Sequence, residues 1–385
     1  MQSTRAHARG FSVVELLVSV AIGLVALVFA TRLITGSEQA KTSALGSSDS
    51  MQNGMLAMFS ISGDAQQAGF GLNDPLLLGC DTRLTDNEGF VLAPAPRGAA
   101  VVTPLAPAII ESGGTGPDRI SLYSGSSLSG TGTVRMVSNY IGGTNLDLDR
   151  EPFGFAKGDV VVVAPENMIG RCALTQVSAA PNADAELAVA GGSGFRYASG
   201  GLGRNFSGGT TRVFNLGPAA ALALHTWSVA NGFLQLRSTD MAGSGAAPAT
   251  VADNIVSIKA QYGFDTRTGT AFNPQAGLRV GQWSATMIAA DGDTEVGGAG
   301  DYAHLAALRI AVVARSKTRE RPNAAGACTA TPSQPTVFAS AEPFGVTPAP
   351  IKVDVAVAGD GADWRCYRYR VFETIVPLRN ALWRP

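Results

Sequence analysis

The stretch from Phe11 to Ala30 is apolar almost throughout, and its only charge is Glu15. At 1.5 Å per residue a helix of about 20 residues spans roughly 30 Å, the hydrocarbon thickness of a bilayer. The run is therefore long enough to cross a membrane once. Arg5, His7 and Arg9 precede it, and the excess of positive charge on the cytoplasmic side sends everything after about Thr31 outward. A carboxylate inside such a helix costs about 2.5 kcal/mol or more on insertion scales, so Glu15 needs a partner.

Two ordinary explanations leave Glu15 unused. A cleavable secretory signal would take Arg5 and Arg9 as its basic region and Val28-Phe29-Ala30 as its processing site, but the apolar core of such signals rarely carries a charge. A plain single-span anchor accounts for length and orientation and gives the carboxylate nothing to pair with. The string GFSVVELLVSVAIG from Gly10 to Gly23 resembles the class III signal shared by type IV pilins and type II secretion pseudopilins. The resemblance implies that residues 1–10 are a leader cut after Gly10 by prepilin peptidase. Phe11 becomes the N-methylated first residue and Glu15 the acidic fifth one. Glu15 of one subunit would then pair with the Phe11 amine of its neighbour, neutralising two charges that neither could bury alone.

About 375 residues remain after such a cut, enough for one large or two modest globular units. With a net charge of −1 and only 15% charged residues, the composition offers neither a basic field for nucleic acid nor a polybasic membrane patch. The 46 glycines point to many turns between short strands. Cys80, Cys172, Cys328 and Cys366 all follow the span and read as two disulfides with three possible connectivities. Pairing Cys80 with Cys172 and Cys328 with Cys366 keeps each bond within one half of the chain. No CxxC spacing suggests a metal site.

Past residue 34 the helix is expected to continue to about residue 70 on the exported side. Ala40, Ala44, Met51, Met55, Met58 and Phe59 recur at helical spacing and suggest an inner, core-facing stripe. Gly36, Gly46 and Gly54 each weaken the helix by about 1 kcal/mol relative to alanine. No proline falls between Phe11 and Phe70, and Gly69 or Gly71 is placed to end the helix after Ala68.

Short apolar runs follow. Asp159 to Ala164, a continuous β-branched run, reads as a strand with Cys172 to Val177 as a candidate partner, and Ile120 to Tyr123 and Val134 to Val137 are weaker candidates. The glycine- and serine-rich stretches 124–133 and 191–209 read as exposed loops. Residues 243–250 read as the boundary between a variable β-rich head region, 71–250, and a C-terminal region, 251–385. In the latter, the strands around 257–264, 308–313 and 367–371 alternate apolar and polar residues, which predicts an antiparallel sheet wet on one side with its other side on the helix.

The blocks GDAQQAGFGL (63–72), DNIVSIKAQYGFDT (253–266), LRIAVVARS (308–316) and RYRVFETIVPLRNALW (368–383) resemble, in that order, those of the PilW family of type IV pilus assembly proteins. The resemblance covers the first 70 or so residues and about 130 at the C-terminus. It implies an α+β, pilin-like fold: a long N-terminal helix, membrane-spanning in its first half, packed on an antiparallel sheet with an enlarged β-rich head. It further implies a minor pilin that starts in the inner membrane with a periplasmic head and ends on the cell-surface pilus. Its partners would be other minor pilins, the major pilin, a tip adhesin, prepilin peptidase and the inner-membrane assembly platform. The pseudopilins of the J type have a similar layout but are usually much shorter. A membrane-anchored envelope enzyme or binding module is the remaining alternative.

Catalytic patterns do not support the enzyme alternative. There is no HExxH, GxSxG or GxxxxGK[ST], and His7, His225 and His304 lie far apart without an evident partner pattern. His225 beside Trp227 and His304 beside Leu305 read as core-edge residues. Among cofactors only calcium has a candidate: Asp291, Asp293 and Glu295 alternate in a glycine-rich string ending at Asp301, and oxygen ligands converging on one point suit a hard cation. Asn145, Asp147, Asp149 and Glu151 form a weaker set.

Overall fold

The computed structural model describes residues 12–125, 133–167, 171–181, 183–189, 194–197, 200–323 and 325–382. Gly10 and Phe11 lie outside the described residues, as does most of the stretch 124–133. The architecture is α+β, an N-terminal apolar helix followed by a β-rich body.

The helix, α1, runs unbroken over Val13–Gln67, 55 residues. It begins at a capping box in which the Ser12 hydroxyl accepts from Val14 N–H at 3.3 Å and the Glu15 carboxylate accepts from Ser12 N–H at 3.1 Å. At its end Ala68 N–H donates to Asp64 O, and Gly69 and Gly71 take positive φ values of 84° and 71° that turn the chain away. None of the apolar span Val13–Ile34 is buried within the chain.

The seam that α1 buries differs from the expected stripe. Met51, Met55 and Phe59 are exposed, Met58 is half-buried, and Ala44 is exposed. The buried positions are Gly46, Ser50, Gly54, Ala57, Ile61, Ala65 and Ala68, at steps of three and four. Small residues lie there because the helix comes close to the sheet: a Cβ on Gly54 would stand 2.1 Å from a Phe372 ring carbon. Apolarity alone misassigned the face, since the large side chains are the ones left outside.

That helix rests on a four-stranded antiparallel sheet in the order Gln282–Ser284, Ile255–Phe264, Leu305–Arg315, Tyr369–Pro377, touching mainly the last two strands. The wet side expected of this sheet survives at its edges, along Tyr369–Pro377 and at Gln282. All ten residues of Ile255–Phe264 are buried. The face away from α1 is covered by Val337, Phe338, Val353 and Val355, which pack on Val256, Ala311 and Val313. The polar residues of the alternation are consumed inside. Lys259 Nζ donates to the fully buried carboxylate of Asp118 and to the carbonyls of Gly114 and Gly116 at 3.0 Å each. Gln261 donates to Ala349 O, and Arg309 to Ser340 O and Oγ. Burial of such polar groups is offset by partners of this kind, although Ser257 Oγ and Gln261 Oε1 on the same strand are buried without one.

A five-stranded antiparallel sheet follows the order Ala249–Asp253, Phe233–Ser238, Ala223–Ala230, Arg119–Ser124, Ala108–Glu111. Residues 243–250 lie in the turn and first residues of its Phe233–Ser238 to Ala249–Asp253 hairpin, and one hydrophobic core continues across them from Ala57 to Leu378. A six-stranded sheet is built around Asp159–Pro165, flanked by Arg171–Gln176 and Thr211–Pro218. The valine run of that central strand is buried on both faces because it separates two cores. Val160, Val162 and Ala164 belong to the main one, and Val161 and Val163 to a second with Val213, Leu187 and Phe206.

Disulfides Cys80–Cys172 and Cys328–Cys366 close separations of 92 and 38 residues. The described part of 191–209 is not simply an exposed loop. Tyr197, Leu202 and Phe206 are buried, Arg196 grips Asp86 through two bonds of 2.8 Å, and Arg204 holds Asp81 and Cys172 O.

Candidate functional site

The feature of the molecule that folding alone does not explain is α1, beginning with its first turn. The Ser19 hydroxyl donates to Glu15 O at 2.8 Å, and Thr31 to Leu27 O at 3.0 Å, which hides their polarity within the helix's own backbone. Glu15 has no such escape. Its carboxylate folds back on Ser12 N–H at the positive end of the helix dipole, where an anion is favoured. The carboxylate thus stands within one turn of Ser12, bonded through one oxygen to its N–H.

Farther along, the helix has two sides. The seam of small residues faces the sheet, whereas Met51, Met55, Leu56 and Phe59 lie on the far side with exposures of 41, 49, 48 and 77%. Phe59 at three-quarters exposure has no packing role in this chain. The apolar surface of Val13–Ile34 therefore resumes along the second half of α1 as a narrower stripe.

Polar attachments lock the seam side. Arg370 Nη2 donates to Ser47 Oγ at 2.5 Å, Asn53 to Asp253, and Asn380 Nδ2 to the terminal carbonyls Gln66 O, Gln67 O and Ala68 O at 3.0–3.3 Å. The strongest is a clamp at Asp64, in the last turn of α1, where the helix dipole disfavours an anion. Protonated His225 donates through Nδ1 to Asp64 Oδ2 at 2.7 Å and through Nε2 to Asp240 Oδ1 at 2.9 Å, and Trp227 Nε1–H donates to the same Asp64 oxygen at 2.7 Å. Burial opposes the charged ring, but the hydrogen bonds to Asp240 and Asp64 outweigh it and carry the His225 pKa up to about 9. The hydrogen bond from His225 draws Asp240 down to about 2.

With both ring nitrogens held by carboxylates, His225 has no free nitrogen to act as a general base. The clamp is an attachment. His225 was legible as a core-edge residue, but its partners were not, because Asp64 and Asp240 stand 161 and 15 residues away. The available signal was the aspartate at the unfavourable end of a helix. His304, the other described histidine, is buried, stacks on Phe272 with ring centroids 3.6 Å apart and bonds Asp265 O.

The carboxylates of the calcium candidate take part in turn hydrogen bonds. Asp291 accepts from Asp293 N–H, Asp293 accepts from Glu295 N–H, and Asp301 accepts from the N–H groups of Ala290, Asp291, Gly297 and Gly298. Each aspartate caps its own loop, and Asp301, desolvated by burial, is shifted upward. In the weaker set Asn145 bonds Glu186, Asp147 accepts from Ser138, and Asp149 accepts from Arg135 N–H. Among the described residues no three His, Cys, Asp or Glu side chains are grouped to hold a metal ion.

Residues 225–380 fit the family model described as Type IV Pilus-assembly protein W. The match takes in the clamp residues His225, Trp227 and Asp240, the four-stranded sheet and Asn380. No curated protein and no solved structure matches the chain.

Proposed function

With residues 225–380 belonging to the PilW family of type IV pilus assembly proteins, we propose that this chain is a minor pilin. It is held in the inner membrane by the first half of α1 with its head on the periplasmic side. There it joins other minor pilins, the major pilin and a tip adhesin in a complex that primes pilus assembly and ends at the pilus tip. The observation that carries the reading is the division of α1: a 22-residue apolar span with nothing buried, continued by the exposed Met51, Met55 and Phe59 stripe, on a helix whose other side is locked to a large head.

In this reading prepilin peptidase cuts after Gly10, Phe11 becomes the methylated N-terminus, and Glu15 pairs with the amine of an adjacent subunit. Once assembly draws the helix out of the lipid, the exposed stripe lies against neighbouring helices. Glu15→Gln tests the pairing. Membrane insertion is retained, because the change removes a buried charge worth about 2.5 kcal/mol or more, while co-purification with partner pilins is lost. Wild-type recovery of partners with the Glu15→Gln chain would refute it. Mass spectrometry of the mature N-terminus tests the processing: the expected first residue is N-methylated Phe11.

A further inference from the structure

The net charge of −1 conceals a concentration of cations at one end of the head. Arg370 meets α1 at Ser47, Phe372 meets it at Gly54, and Asn380 caps it at Gln66 to Ala68. The edge strand Tyr369–Pro377 therefore climbs in the same direction as α1, and what precedes it lies toward the apolar span. Leu305–Arg315 descends beside it, and the ladder continues past both strands through Ser316 N–H to Arg368 O and Glu320 N–H to Cys366 O. Below Ser47, the Cys328–Cys366 disulfide ties these descending segments into the wall of an open cleft of about 810 Å³.

This underside carries Lys317, Arg319, Arg321, Arg365, Arg368 and Arg370, all exposed, against Glu320 and Asp363. Glu320 is taken by Arg368 and Asp363 by Arg365. Lys317, Arg319 and Arg321 have no ion-pair partner among the described residues, and Arg319, Arg321 and Arg365 line the cleft. From Ile34, the end of the span, to Ser47 is 13 residues of helix, roughly 20 Å. The descending segments narrow that gap, and lipid headgroups extend about 5–8 Å beyond the hydrocarbon from the other side.

We infer that this underside docks electrostatically on the anionic phospholipid headgroups of the membrane from which α1 emerges. The inference rests on the membrane-anchored reading above. Cations within a screening length of about 8 Å are attracted to an anionic surface, each by about 1 kcal/mol. Docking fixes the tilt of the head over the bilayer and so the direction in which the exposed α1 stripe faces.

The test is hydrogen exchange read by mass spectrometry on the full chain in lipid nanodiscs. In discs rich in phosphatidylglycerol, exchange in 317–323 and 361–368 is expected to slow by roughly fivefold per engaged cation relative to phosphatidylcholine discs. The protection should vanish at about 1 M salt, where the screening length falls to about 3 Å, and in an R319E/R321E variant, whose Ile255–Phe264 strand should exchange as in wild type. Equal exchange in both lipids with the chain inserted overturns the docking and leaves the anchor standing. A chain that does not enter the discs overturns the anchor and the docking with it. Equal protection by glycerol 1-phosphate in phosphatidylcholine discs overturns surface docking in favour of a discrete anion site.

Discussion

The two glycines Gly23 and Gly54 occupy the same helix, and their surroundings could hardly differ more. A Cβ added at Gly23 meets nothing within 4 Å, whereas one at Gly54 would strike Phe372 at 2.1 Å. The lower part of α1 makes no use of the body of its own chain, and the upper part is shaped against it residue by residue. Continuity of the helix hides a division of labour. One half is specified by what surrounds the protein, the other by packing within it, and only the second has to satisfy close approach.

Three experiments probe that division. The largest effect is expected at the clamp. The folded His225 pKa near 9 lies above its ordinary 6.5, so its stabilisation, up to about 3 kcal/mol, is complete below pH 6.5 and is lost as pH rises through 9. Asp240 works in the opposite sense: its pKa near 2 lies below 3.8, so its contribution is present above 3.8 and lost as pH falls through 2. Thermal unfolding should therefore show a plateau between these limits, and His225→Gln should lower it and flatten the alkaline side. An unchanged alkaline slope in that variant would mean the upper half is not held by this ion cluster.

Next in size is Gly54→Leu. Helix propensity alone would stabilise by about 0.8 kcal/mol, but displacing Phe372 from the seam costs more, for a net loss of about 2 kcal/mol. A higher Tm would show that the ring swings aside freely and would erase the contrast with Gly23. The smallest effects belong to the surfaces that the body does not use. Phe59→Ser and Gly23→Leu should each leave head stability within about 0.5 kcal/mol, with Phe59→Ser acting instead on recovery of partner subunits. A marked fall in Tm for Phe59→Ser would place the stripe inside the fold after all.

Much of the frame was legible from residue pattern. The absence of proline up to Phe70, with Gly69 and Gly71 after Ala68, foretold the end of α1, and the valine run at 160–163 foretold a strand, though not that both its faces are buried. The inner face of α1 was misread, because hydrophobicity ranks Met51 and Phe59 above Gly54 and Ala57, whereas a helix lying close on a sheet selects for smallness. The fully buried strand Ile255–Phe264 was misread for a different reason. Lys259 looked solvated because its partner Asp118 lies 141 residues earlier, and burial of a charge is decided by a contact that no local window contains. The Asp291 to Asp301 loop shows the converse, since its alternating carboxylates find partners in the neighbouring backbone, Asp291 accepting from Asp293 N–H and Asp293 from Glu295 N–H.

The cap at the top of α1 also sets an order of events. Asn380 reaches back across 314 residues to Gln66 O, and Phe372 fills the seam at Gly54. The helix thus acquires its groove and its terminal cap from the strand Tyr369–Pro377 and the turn after it, which follow it by some 300 residues. Contacts so distant in sequence form late. A chain still lacking that strand and turn would carry the helix without its groove. Seating of that helix would then report that the strand through Pro377 and the turn at Asn380 have arrived and folded, a completeness check written into the connectivity.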